Sequence, residues 1–141
     1  MKFWDSSAII PLCLKEATSE ILRQVAEDDG EITVWWATPI ECISALARRK
    51  REGKIPAEAE WNSRKILSQL SKAWSEILPT SLVRQRAERL IGIHPLRAAD
   101  AFQLAAALIW AEENPPGLAF VCLDHNLREA AQKEGFTILP E

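Results

Sequence analysis

The sequence contains little of what marks a secreted or membrane-spanning protein. It has three cysteines among 141 residues, an odd number at widely spaced positions, which argues against a disulfide framework or a zinc site. No run approaches the roughly 18 apolar residues of a membrane helix, and charged residues interrupt the start of the chain too early for a signal peptide. We therefore expect a cytoplasmic protein with reduced, buried thiols and no association with a membrane.

An excess of positive charge is also absent. The 20 acidic residues outnumber the 17 basic ones, and the formal net charge is −3 at pH 7. A protein with this balance does not attract nucleic acid as a whole. Binding of any polyanion would therefore need a local basic patch or a bound cation.

What the sequence does contain is an alternation of short apolar strands and amphipathic helices. With 141 residues we expect a single domain over residues 1–141. Strands are predicted at residues 2–4, 32–36, 76–80, 118–123 and 136–139, with helices between them. This order predicts an α/β fold, a three-layer α/β/α domain whose central parallel sheet has four to five strands.

Three acidic residues lie at or shortly after the carboxyl ends of predicted strands, and a fourth lies near the N-terminal end of the helix that precedes the strand at residues 118–123. They are Asp5, Glu41, Asp100 and Asp124. Asp5 and Asp124 directly follow strands, and each has an ordinary alternative role as a helix N-cap. Glu41 has one as well, as the glutamate of a capping box that begins at Thr38. Taken singly, these three acids are more typical of structure than of catalysis.

Asp100 is different, because it is the only ionisable residue between Ala98 and Ala111. A helix that is apolar almost all round is normally buried, and a buried carboxylate needs a partner to offset its lost hydration. Arg97, one turn earlier, is the structural alternative. Such a pair contributes only about 0.2–0.5 kcal/mol, which is less than burial costs. We therefore predict a functional carboxylate at Asp100, although the periodicity leaves open whether it reaches the sheet edge.

Convergence of these carboxylates would require a cation. Two unit charges about 4 Å apart repel by about 4 kcal/mol at an effective dielectric constant of 20. Ligands that are all oxygens favour a hard divalent ion, Mg²⁺ or Mn²⁺. Such ions bind phosphate oxygens and activate water for attack on a phosphodiester.

The segments that carry the four acids occur in a characteristic order. They are F-W-D-S-S-A-I-I, I-E-C-I-S-A-L-A-R-R, L-R-A-A-D-A-F-Q-L-A-A-A-L and F-V-C-L-D-H-N-L-R-E-A-A-Q-K-E-G-F. Together they cover nearly the whole chain, and the third is the most specific. In this order they resemble the PIN-domain ribonucleases and, among them, the VapC-type toxins of toxin–antitoxin pairs.

This resemblance implies a PIN-like domain with the activity of a metal-dependent endoribonuclease. Asp5, Glu41, Asp100 and Asp124 would hold Mg²⁺ or Mn²⁺, and Ser7 would supply the hydroxyl that supports the first acid or the metal-bound water. It also implies a structured RNA substrate of the tRNA or rRNA class and a cognate antitoxin protein as partner. The implied assembly is a homodimer or a toxin–antitoxin hetero-oligomer.

A basic segment follows the second acid and has two interpretations. It consists of Arg48, Arg49, Lys50, Arg51 and Lys54. Cations at a helix C-terminus complement the helix dipole, and the same cations are suited to contact an RNA backbone. The sequence does not decide between the two.

Two other functions remain open from the sequence. One is phosphoryl transfer through an aspartyl-phosphate on Asp5, for which a second acid beside Asp5 and a supporting lysine are missing. The other is a catalytically silent module, in which the acids are only helix caps. The Trp35-Trp36 pair favours core and edge packing over a base-stacking platform.

Overall fold

Five short strands alternate with seven helices along residues 1–141, all of which the computed structural model describes. The strands are β1 (Lys2–Trp4), β2 (Ile32–Trp35), β3 (Ser75–Ile77), β4 (Ala119–Val121) and β5 (Thr137–Leu139). The helices are α1 (Ser6–Cys13), α2 (Ser19–Asp29), α3 (Thr38–Arg51), α4 (Ala57–Ser71), α5 (Ser81–Ile93), α6 (Ala98–Trp110) and α7 (His125–Glu134).

The strands form one sheet in the order β3-β2-β1-β4-β5, and all neighbours are parallel. From β1 the chain builds outwards through β2 to β3, then returns to place β4 and β5 on the other side of β1. The crevice beyond the carboxyl ends of β1 and β4 is therefore a topological switch point, where open α/β sheets bind their ligands.

Helices cover both faces of the sheet, because successive strand residues point to opposite sides. Phe3 and Phe120 belong to a core with α5, α6 and α7. Trp4 and Val121 belong to a second core with α1, α2, α3 and α4. The predicted three-layer α/β/α class is confirmed, and burial on both faces explains why Phe3 and Trp4 of β1 and all of β4 are apolar.

The first strand is held firmly, and it is the strand that ends at Asp5. The Trp4 indole Nε1 donates a hydrogen bond of 2.8 Å to Asp29 Oδ2 at the end of α2, and the α-amino group of Met1 lies 3.1 Å from Asp29 Oδ1. On the other face Phe3 stacks on Phe120, with ring centroids 5.6 Å apart. The backbone that leads into Asp5 is therefore fixed by contacts on both faces of the sheet.

Several predicted boundaries shift, and one predicted motif is wrong. The strand expected at residues 118–123 is limited to Ala119–Val121, since the chain then turns towards α7. The capping box of Thr38 and Glu41 does not form. Ala37 occupies the N-cap of α3 without a side-chain bond, and the Thr38 hydroxyl instead accepts a hydrogen bond from Gln103.

The thiols are free and buried, as predicted. Burial raises the pKa of the Cys13 thiol to about 12 and also raises the pKa of Cys42 and of Cys122 above the ordinary value. All three are therefore protonated near neutral pH. None of the seven helices has the length and apolar character needed to cross a membrane.

Candidate active site

A cavity of about 540 Å³ opens at the carboxyl edge of the sheet, at the switch point. Its lining combines three of the four predicted acids with part of the basic segment. The charged residues concerned are Asp5, Asp100 and Asp124, together with Arg48, Arg49 and Lys54. The fold therefore brings together, in one cavity, carboxylates that follow β1, lie in α6 and follow β4. The basic side chains beside them lie in the last turns of α3 and just after it.

Asp5 is buried, and all the hydrogen bonds to its carboxylate go to one of its two oxygens. Its Oδ2 accepts hydrogen bonds from the Ser7 amide at 3.1 Å, from the Ser7 hydroxyl at 2.5 Å and from the Cys122 thiol at 3.6 Å. The Ser7 hydroxyl in turn accepts a bond of 2.9 Å from the Leu123 amide, just beyond β4. Ser7 thus fastens Asp5 across the switch point, while Asp5 Oδ1 makes no hydrogen bond within the protein.

Asp100 and Asp124 reach the same cavity from different elements. Asp100 lies half-buried in the first turn of α6, and Arg97 does not form an ion pair with it. Asp124 is exposed and caps α7, since its Oδ1 accepts a 3.0 Å bond from the Leu127 amide. Asp124 therefore acts as a helix N-cap, which is the structural alternative predicted for it, and it also lines the cavity.

The carboxylates at this edge make one another harder to ionise. Burial raises the pKa of Asp5 to about 6, and the charge of Glu41 adds to the effect. Burial also raises the pKa of Asp100 to about 6, the charges of Asp124 and Asp5 add to this effect, and the charge of Arg97 opposes it. A positive charge placed between these groups would relieve both the repulsion and the lost hydration.

Glu41 lies in the first turn of α3 and forms part of the wall of a neighbouring, more apolar cavity of about 580 Å³. Its Oε1 accepts a 2.9 Å hydrogen bond from Gln103 Nε2. Burial raises the pKa of Glu41, the hydrogen bond from Gln103 lowers it, and the charge of Asp100 raises it. Glu41 is therefore electrostatically linked to the acidic cavity although it does not line it.

Gln103 is the residue of this region that sequence reasoning missed. It is fully buried on α6, one turn after Asp100. The signal was present, because Gln103 is the only polar side chain besides Asp100 between Ala98 and Ile109. A buried amide needs hydrogen-bond partners, and those partners are on α3, which the sequence alone does not bring beside α6.

The structure divides the basic segment into two parts. Arg48, Arg49 and Lys54 line the acidic cavity, whereas Lys50 pairs with Glu60 of α4 at 3.9 Å and Arg51 is exposed away from the cavity. Of the three lining residues, Arg49 pairs with Glu16 at 3.3 Å and Lys54 with Glu52 at 3.6 Å. Arg48 makes no ion pair and is therefore the unpaired cation of the cavity.

The donor chemistry of the site suits a hard divalent cation. The acids offer only oxygens, and Asp5 keeps one of its two oxygens free of hydrogen bonds. No three His, Cys, Asp or Glu side chains are close enough together to form a ready-made chelate. Mg²⁺ usually binds through one or two carboxylates and retains several waters, which is the arrangement that carboxylates spaced in this way would support.

The parallel sheet, its helical layers and the acidic residues at its carboxyl edge together define a PIN-like α/β/α domain with an acidic cavity at its switch point. No family model matches the chain. Two Mycobacterium tuberculosis proteins are each 28% identical to it over 148 residues, covering 98% of this chain and 94% of theirs. They are Ribonuclease VapC45 of strain CDC 1551 / Oshkosh and Ribonuclease VapC49 of strain ATCC 25618 / H37Rv. These similarities confirm the resemblance to VapC-type PIN-domain ribonucleases that the four acidic segments predict.

We predict that Asp5 makes the stability of the metal-free protein fall as the pH rises. Its pKa is about 6 in the folded chain against 3.8 ordinarily, so the folded state holds the proton more tightly. The stabilisation is present at low pH and is lost as the pH rises from about 4 through about 6.

Urea unfolding in EDTA, with Asp5→Asn for comparison, measures this effect. Between about pH 4 and about pH 7 the stability of the wild type should fall relative to that of the variant by roughly 1–3 kcal/mol. Parallel pH profiles for the two proteins would contradict the assignment.

Proposed function

We propose that this protein is a metal-dependent endoribonuclease that acts as the toxin of a toxin–antitoxin pair. The proposal depends above all on one observation, the convergence of Asp5, Asp100 and Asp124 on a cavity that also contains an unpaired arginine. The ribonuclease names of two relatives that match over nearly the whole chain support RNA as the substrate.

In this proposal Asp5, Glu41, Asp100 and Asp124 hold Mg²⁺ or Mn²⁺. The bound cation would supply Lewis-acid stabilisation of the phosphate and an activated water. Ser7 fixes one oxygen of Asp5 through two hydrogen bonds, so the other oxygen remains for the cation. The raised pKa of Asp5 and of Asp100 means that the empty site disfavours full ionisation, and cation binding would displace protons from it.

RNA would enter along the basic wall of the cavity. Arg48 is the best placed to contact a phosphate, because it has no carboxylate partner, and Arg49 and Lys54 are beside it. Lys50 and Arg51, which the sequence grouped with them, do not line the cavity and would contribute less. A structured RNA of the tRNA or rRNA class is the proposed substrate.

A cognate antitoxin is the proposed protein partner, in a cytoplasmic homodimer or toxin–antitoxin hetero-oligomer. The VapC names of the relatives support this. An apolar surface beside Glu41 supports it too, since Trp36 is 52% exposed and Ile40 is 63% exposed at the second cavity. Exposed apolar patches of this kind are typical of protein interaction sites.

Cleavage of a defined structured RNA tests the proposed activity. EDTA should abolish cleavage, and added Mg²⁺ or Mn²⁺ should restore it. Asp100→Asn should slow cleavage by at least about 100-fold, the loss expected when several kcal/mol of charge stabilisation is removed. Without metal the variant should be as stable as the wild type or more so, because a repelling charge is gone.

Asp28→Asn, on the exposed surface of α2, is the matched control and should cleave at the wild-type rate. Cleavage by Asp100→Asn that is fast and independent of metal would contradict the proposed site. Loss of about 0.5–2 kcal/mol of stability without loss of cleavage in Asp5→Ala would instead favour a purely structural role for Asp5, as the N-cap of α1.

Arg48 and Arg51 provide a test of the RNA path, because they are the same residue type on one helix and only Arg48 lines the cavity. RNA binding is measured against salt concentration in the Asp100→Asn background, which prevents cleavage. Arg48→Ala should weaken binding and reduce the slope of log K against log salt by about one. Arg51→Ala should leave the slope unchanged, and equal effects of the two substitutions would rule out the proposed path.

A further inference from the structure

We propose that Gln103 is a positioning residue of this site, whose buried amide holds the Glu41 carboxylate in place for the cation. This inference rests on the proposed metal-dependent function. It assigns to α6 a second task, since the same helix carries Asp100 one turn earlier.

The amide nitrogen of Gln103 makes two hydrogen bonds to the first turn of α3. Nε2 donates to Glu41 Oε1 at 2.9 Å and to Thr38 Oγ1 at 3.1 Å. Gln103 and Thr38 are both fully buried. An amide NH₂ has two hydrogens to donate, so both are used, and together they fix the plane of the amide and the position of Glu41 Oε1.

The carbonyl oxygen of the same amide indicates that packing is not the reason for a glutamine here. Gln103 Oε1 is buried and has no hydrogen-bond partner, which is unfavourable for an amide. An apolar side chain of similar size would avoid that cost. What the glutamine provides and a leucine does not is the pair of hydrogen bonds donated to Thr38 and Glu41, and only the bond to Glu41 reaches a proposed ligand.

The direction of the amide follows from the charge on Glu41. If the amide were reversed, its oxygen would lie against a carboxylate oxygen and repel it. The observed direction therefore suits an ionised Glu41, which is the form that binds a cation. Because Gln103 bonds Oε1, Oε2 is the oxygen left for the cation, and partners of this kind orient metal-binding carboxylates in other proteins.

Isothermal titration calorimetry with Mn²⁺ on the full chain tests this role. Gln103→Leu should weaken Mn²⁺ binding by about 10- to 100-fold, while the metal-free protein remains folded. Thr38→Val should cause a smaller loss, because it leaves the Gln103–Glu41 bond intact. Gln69→Leu, the same change on the exposed side of α4, should bind Mn²⁺ like the wild type.

A double-mutant cycle with Glu41→Gln separates positioning from a general structural effect. In the Glu41→Gln background, Gln103→Leu should cause no further loss of Mn²⁺ affinity. If Gln103→Leu does not fold, the same cycle is carried out with Gln103→Met, which also removes the donor to Glu41.

The outcomes distinguish this inference from the function on which it rests. A wild-type protein that does not bind Mn²⁺ would overturn both. If the wild type binds Mn²⁺, either of two results would overturn the positioning role alone. One is that Gln103→Leu binds Mn²⁺ as tightly as the wild type. The other is that Gln103→Leu loses as much Mn²⁺ affinity in the Glu41→Gln background as it does in the wild-type background.

Discussion

Burial of carboxylates, reinforced by repulsion between them, is the main physical constraint at the carboxyl edge of the sheet. Burial raises the pKa of both Asp5 and Asp100, and neighbouring charges add to the effect, that of Glu41 at Asp5 and those of Asp124 and Asp5 at Asp100. Two of these acids are held in place by local hydrogen bonds. Asp5 is fastened by Ser7 and Asp124 caps α7. A positive charge bound between these carboxylates would offset both their repulsion and their lost hydration.

Topology explains why residues so far apart in the chain meet. The switch point between β1 and β4 places Asp5 and Asp124 on either side of one crevice, and α6 and α3 approach the same edge from opposite layers. Gln103 connects those two helices directly, through Thr38 and Glu41. The ligand proposed on α3 and the ligand proposed on α6 are therefore held in register by one buried amide.

Much of this was predictable from the sequence, for physical reasons. Apolar runs at β1 and β4 indicate strands that are buried on both faces, and Asp100 is conspicuous because a charge in an apolar helix is unfavourable. The capping box at Thr38 was not a reliable inference, since local preference lost to a tertiary hydrogen bond from Gln103. The division between Arg48 and Arg51 was equally inaccessible, because helix phase alone does not say which face meets the cavity. The four site acids remain proposed ligands, although their placement near one edge agrees with the pattern from which they were predicted.

Anomalous diffraction from crystals of the full chain grown with Mn²⁺ tests the central claim most directly. We predict an Mn²⁺ peak in the switch-point cavity, within about 2–2.5 Å of carboxylate oxygens of Asp5 and Asp100, the usual distance for oxygen ligands of hard cations. A map with no Mn²⁺ in this cavity, or with Mn²⁺ bound only elsewhere on the surface, would contradict the proposed site.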